Sequence, residues 1–103
     1  MLIIIYTTVS STEQAELIAQ TLIVERLVAC VNLWPITSMY TWNEKIEKTT
    51  EVGMFLKTSK AGQEALYQRL LELHPYECPA IITLDIAHTY PAFAQWVQTQ
   101  TGP

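Results

Sequence analysis

The chain is 103 residues long and half apolar, with six basic against ten acidic side chains and a formal charge of −4. That length makes a single domain, residues 1–103, with enough apolar mass to fold without a disulfide or structural metal. The basic residues form no cluster, which argues against nucleic-acid binding, and Cys30 and Cys78 read as reduced thiols of a cytoplasmic protein rather than as a staple.

Leu2 to Val9 is a β-branched and aromatic run, and it predicts a strand buried on both faces. Its apolar start, Leu2–Ile5, has no basic flank and is too short for a signal peptide or a membrane span. Ser10 and Ser11 stand three residues before Glu13 and Gln14, which offers two capping-box registers for a helix. The apolar face of that helix is Ala15, Ile18, Ala19, Leu22 and Ile23, and its end falls near Arg26-Leu27.

From Ala29 to Trp42 helical spacing is lost, and the residues predict a second strand interrupted at Pro35, which lacks an N–H for the ladder. Asn43-Glu44 reads as a hairpin turn, with Asn43 absorbing the strained dihedral. The third strand alternates Ile46, Thr50, Val52, Met54 and Leu56 against Glu47, Thr49, Glu51, Phe55 and Lys57. Ser59 is expected to cap a second helix with Ala65, Leu66, Leu70 and Leu73 inward, stopped by Pro75 after His74. Tyr76–Pro79 is a loop, Ala80–Ile86 a fourth strand and Tyr90–Gln98 a terminal helix, followed by a frayed tail from Gln100 to Pro103.

The order β-α-β-β-α-β plus a helix predicts an α+β, ferredoxin-like fold with both main helices on one sheet face. An uncovered second face would alternate apolar with polar, yet strands one and four are apolar on both sides, so something must cover it. Read straight, strand two would span about 45 Å at ~3.3 Å per residue, more than a domain of this size encloses. Unless Pro35 bends it back, its far end projects with strand three as a long hairpin arm that needs a second chain. Three Trp, five Tyr and two Phe exceed what so small a core can hold, which also points to a partner contact.

In order and spacing, nearly the whole chain resembles the CutA divalent-cation tolerance family. The matching residues are Leu27-Val28-Ala29-Cys30-Val31-Asn32, Pro35, Ser38, Tyr40, Trp42, Lys45-Ile46-Glu47, Glu51, Leu56-Lys57-Thr58, His74-Pro75-Tyr76-Glu77, Pro79 and Trp96. The resemblance implies a homotrimer with sheets facing inward and a link to tolerance of copper and other divalent cations. It also implies likeness to the PII signalling proteins, which bind small molecules between subunits. The chain departs from the family pattern where some members carry a cysteine late in strand one and a histidine just before His74; Tyr6 and Leu73 stand there. Glu44 stands where the family's turn usually has glycine.

The family-like metal ligands that remain are Cys30 and His74, with Cys78 and His88 as additional candidates. Thiolate and imidazole suit copper or zinc, weakly held at two ligands and with no obligatory cofactor implied. Against this, each residue taken alone reads more readily as structural, Cys30 as a small buried apolar residue and His74 as a helix-end cap. Tyr40 and Trp42 share one face of strand two, and Glu51 and Lys57 one face of strand three, while Glu77 leaves the loop after the second helix. These five read either as an intersubunit cleft for a small ligand or as a Lys–Glu bridge that sets trimer register. No nucleophile–base pair, phosphate loop or paired carboxylates are present, so the sequence does not read as an enzyme.

Overall fold

The computed structural model describes residues 1–102, so Pro103 of the predicted tail lies outside the described residues. The elements are β1 (Leu2–Val9), α1 (Thr12–Val24), β2 (Cys30–Trp42), β3 (Lys45–Ser59), a 3-10 turn (Lys60–Gly62), α2 (Gln63–Leu73), β4 (Ile81–Asp85) and α3 (Pro91–Gln100). The strands form one antiparallel sheet in the order β2-β3-β1-β4, which is the ferredoxin-like split βαβ arrangement.

Of the two capping registers, the chain uses the one at Ser11. Its hydroxyl accepts the Gln14 N–H at 3.2 Å, and the Gln14 side chain reaches back to the Ser10 N–H. Ala15, Ile18, Ala19 and Leu22 are buried as expected, but Ile23 is exposed because it falls past the edge of that stripe. The helix stops at Val24 rather than near Leu27. There the Arg26 N–H bonds the Ile23 carbonyl and the Leu27 N–H the Leu22 carbonyl, a Schellman closure. Arg26 takes the left-handed position (φ 61°) where glycine is usual.

In α2, Leu66 and Leu70 pack inward, and Ala65 is exposed instead of buried. Ser59 does not cap this helix. It precedes the 3-10 turn without a side-chain bond, and α2 opens after Gly62. His74 is the C-cap, and Pro75 prevents the next turn.

The main core lies between the sheet and these two helices. Ile3, Ile5 and Val9 of β1 and Val52, Met54 and Leu56 of β3 meet Ile18, Leu22, Leu66 and Leu70. On the other face, α3 covers only the foot of the sheet, where Val97, Phe93 and Ala94 pack on Leu2, Ala29 and Ile86. The helix runs to Gln100, and the tail is tied rather than frayed as far as Gly102. The Arg26 guanidinium donates to the carbonyls of Thr99 and Thr101, and the Gly102 N–H bonds the Arg26 carbonyl.

Pro35 does not fold β2 back. Pairing with β3 runs unbroken from Cys30↔Lys57 to Trp42↔Lys45, because β2 is an edge strand and the ladder tolerates a missing donor there. β1 pairs with β3 only from Ser59 back to Val52, so the rest of the hairpin projects as an arm. The molecule measures 46 × 26 × 21 Å as a result. At the tip both Asn43 (φ 50°) and Glu44 (φ 65°) are left-handed, as a two-residue type I′ turn requires; Asn43 does not absorb the strain alone.

Candidate functional site

Side-chain alternation sends Ile4 and Tyr6 of β1, Trp34 of β2, Phe55 of β3 and Ile82 and Leu84 of β4 to the face away from α1 and α2. Tyr6, Trp34 and Phe55 form a ring cluster, with Trp34 and Phe55 edge to face at 4.8 Å and Tyr6 about 6 Å from each. Gly53 makes this possible: a Cβ there would stand 3.0 Å from the Trp34 ring, so only glycine lets the indole lie on β3. Beside the cluster Ile82 and Leu84 are 49% and 40% exposed. This surface is a continuous apolar face, and α3 covers only its lower end.

Where β3 leaves the domain to enter the arm, Glu51 accepts a hydrogen bond from the Tyr76 hydroxyl at 2.6 Å. Burial alone would raise the Glu51 carboxyl, but the hydroxyls of Ser38, Tyr76 and Thr8 and the nearby His74 outweigh it and hold it below its ordinary value. Burial raises the Tyr76 phenol, and the Glu51 carboxylate raises it further. His74 lies one layer deeper. Its Nδ1 accepts the Tyr76 N–H at 3.1 Å, which makes Nε2 the protonated nitrogen, donating to the Thr8 carbonyl at 2.9 Å. Burial holds the imidazole below its ordinary value, against the pull of the Thr8 carbonyl and Glu51.

The residues singled out in the sequence fall into separate places. Cys30 is half-buried on the β2–β3 rung with Lys57, whose ammonium sits 5.7 Å from the centre of the Phe93 ring. Lys57 in turn pairs with Ile4, whereas His74 is bound at Thr8, four residues (about 13 Å) further along β1. The chain therefore does not bring Cys30 and His74 together, and both ring nitrogens of His74 are engaged. Cys78, Glu77 and His88 are exposed, and no group of three or more His, Cys, Asp or Glu suited to a metal occurs among the described residues.

The described residues of a single chain thus do not fit a closed metal site. Glu51 and Lys57 share a face but stand six residues, about 20 Å, apart and do not pair within the chain. Tyr40 and Trp42 are 44% and 63% exposed on the arm, on the same side as the ring cluster. Sequence reading missed Trp34 with its Gly53 seat, and Tyr76 as the partner of Glu51; the histidine-proline-tyrosine run was the available signal for the second.

The sequence profile of CutA1, the divalent ion tolerance protein, matches residues 3–100. The chain belongs to the CutA1 divalent ion tolerance family. The divalent-cation tolerance protein CutA of Pyrococcus horikoshii is 43% identical over 97% of this chain and 98% of its own length. Among solved structures, CutA1 of Ehrlichia chaffeensis superposes with a TM-score of 0.96 at 35% identity, covering 99% of this chain and 96% of that one. The Archaeoglobus fulgidus member, described as a periplasmic divalent cation tolerance protein, superposes with a TM-score of 0.92 at 35% identity over 97% and 98%. No helix among the described residues of this CutA1 family member is long and apolar enough to cross a membrane.

Proposed function

We propose that this CutA1 family member serves divalent-cation tolerance in the cytoplasm as a homotrimer of one-domain subunits, by binding rather than by catalysis. The observation that carries the reading is the second sheet face, where the Tyr6–Trp34–Phe55 cluster, Ile82 and Leu84 lie open and the arm extends beyond them. A face of this kind resembles a core cut in half, the mark of an obligate interface. The half-buried thiol of Cys30 points the same way, so assembly would bring one thiol per subunit toward the interface. Copper or another divalent cation would then be held weakly between subunits, with His74 in reserve because its nitrogens are already bonded.

A second reading is favoured by Lys57. An ammonium on an aromatic-lined face, over Phe93, suits an anionic small molecule in a PII-like intersubunit cleft completed by Tyr40, Trp42, Glu51 and Glu77. The two readings separate by titration. Light scattering on the eluting protein should give three times 11.7 kDa, and a stable monomer at micromolar concentration would overturn both. Copper calorimetry on the folded trimer should lose its heat in Cys30→Ser. Unchanged binding in Cys30→Ser and His74→Ala would move the site to the cleft, where Lys57→Ala and Glu77→Ala become the informative variants.

A further inference from the structure

On the side away from the sheet, the outer line of α1 carries Leu17 and Val24, two helical turns apart and 67% and 81% exposed. Between them Thr21 spends its hydroxyl on the Leu17 carbonyl at 2.8 Å, which leaves its methyl as the surface group. With Gln20 and Glu25 these residues line one open depression of about 300 Å³, so the apolar groups adjoin rather than lie scattered. The stripe that the core needs, Ala15, Ile18, Ala19 and Leu22, is on the opposite side of the helix. Burial inside the subunit therefore does not account for the outer row.

Negative charge surrounds this row. Helices α1 and α2, with the Glu25 cap, carry Glu13, Glu16, Glu25, Glu64 and Glu72 against Arg69 alone. Arg69 is itself engaged by Glu25 at 2.8 Å and by Glu72 at 3.5 Å. Neither Glu13 nor Glu16 has a cationic partner among the described residues. In the rest of the chain five acidic residues balance five basic ones, so the whole formal charge of −4 resides in this helical layer.

We propose that the outer face of α1 docks a cationic amphipathic helix of another protein, with the partner's apolar stripe on Leu17, Thr21 and Val24 and its basic side chains over Glu13 and Glu16. Positions i, i+4 and i+7 are the spacing at which one helix meets another along its length. The charge selects the occupant. A second copy of this chain would set two acidic layers against each other, and an anionic membrane would be repelled in the same way, whereas a basic helix is attracted. Assembly through the second sheet face would leave this layer outside, so the two contacts do not compete.

The test is fluorescence anisotropy of the intact chain with a labelled helical peptide of leucine and lysine, leucine on one face, beside its leucine–glutamate counterpart and a scrambled leucine–lysine peptide. The first should bind saturably, and amide NMR should place its shifts at Leu17, Thr21 and Val24 rather than at Trp34 and Phe55. The pair Leu17→Ser with Val24→Ser leaves the charge unchanged and should weaken binding by about tenfold or more, the scale of one buried apolar side chain. Glu13→Gln with Glu16→Gln should weaken it several-fold and flatten its dependence on salt. Both pairs occupy exposed positions and should melt as the parent does; if the serine pair does not fold, the glutamine pair decides. Absence of saturable binding, equal binding of either control peptide, shifts confined to the sheet face, or parent-like binding by the folded variants would overturn the proposal. So would a change in the mass of the assembly in the serine pair, which would assign the face to a second copy, or flotation with anionic vesicles lost in that pair, which would assign it to a membrane.

Discussion

His74 is held neutral by geometry: Nδ1 faces the Tyr76 N–H and Nε2 carries its proton to the Thr8 carbonyl, so a second proton on Nδ1 would confront a donor. Its folded value lies below the ordinary 6.5, and that of Glu51 below 4.5. For both groups the unfolded chain binds protons first as the pH falls, so each contribution to stability is complete above the ordinary value and is lost on descending through the folded one. Stability should therefore decline first just below pH 6.5, from His74, and again below 4.5, from Glu51. Urea unfolding across that range measures it; a His74→Gln variant that keeps the upper slope would show that another group is responsible. Tyr76→Phe removes the donor to a carboxylate and should cost about 1–2 kcal/mol, reduced from the buried-charge figure because the site is partly open. The same loss should raise the pH at which the Glu51 contribution disappears.

At the scale of elements, the β2–β3 hairpin holds both the ring cluster and the arm. The cluster depends on a residue with no side chain. Gly53→Ala would push a methyl into the Trp34 ring at 3.0 Å, lifting the indole off β3 and spoiling the shape of the open face. We expect a loss of about 1–3 kcal/mol, as for other overpacked sites, together with weaker assembly. Trp42→Ala at the tip should leave subunit folding intact, since the ring is 63% exposed there, and cost on the order of 2–4 kcal/mol in assembly if it anchors a neighbour. Sedimentation equilibrium of the two variants distinguishes the effects: Gly53→Ala changes melting and assembly, Trp42→Ala assembly alone. An unaltered association constant in Trp42→Ala would mean that the indole touches no partner.

For the molecule as a whole, a 13-residue edge strand and an open aromatic face are hazards that association would remove. With a net charge of −4, the remaining surface resists non-specific association and leaves the apolar face as the preferred contact. If folding and association are linked in this way, the melting temperature must rise with protein concentration wherever unfolding is reversible. Calorimetry across a hundredfold range of concentration checks this, and an invariant midpoint would mean that the subunit is stable alone.

What the sequence determined by itself was set by local pattern. The apolar stripes of α1 and α2, the alternation along β3, the turn at Asn43-Glu44 and the stop at Pro75 each depend on neighbours within a few residues, so element order and the ferredoxin-like fold were legible. The doubly apolar β1 and β4 likewise made the second face legible as apolar, and that face is the one that α3 covers only at its foot. The tertiary structure decided everything that depends on distant partners. It showed that Pro35 sits harmlessly at an edge, that α3 closes the foot of the second face, and that Gly53 seats Trp34. It separated Cys30 from His74 along β1 and committed both imidazole nitrogens to Thr8 and Tyr76. Sequence spacing does not report those distances, because sheet register, rather than position along the chain, determines which side chains meet.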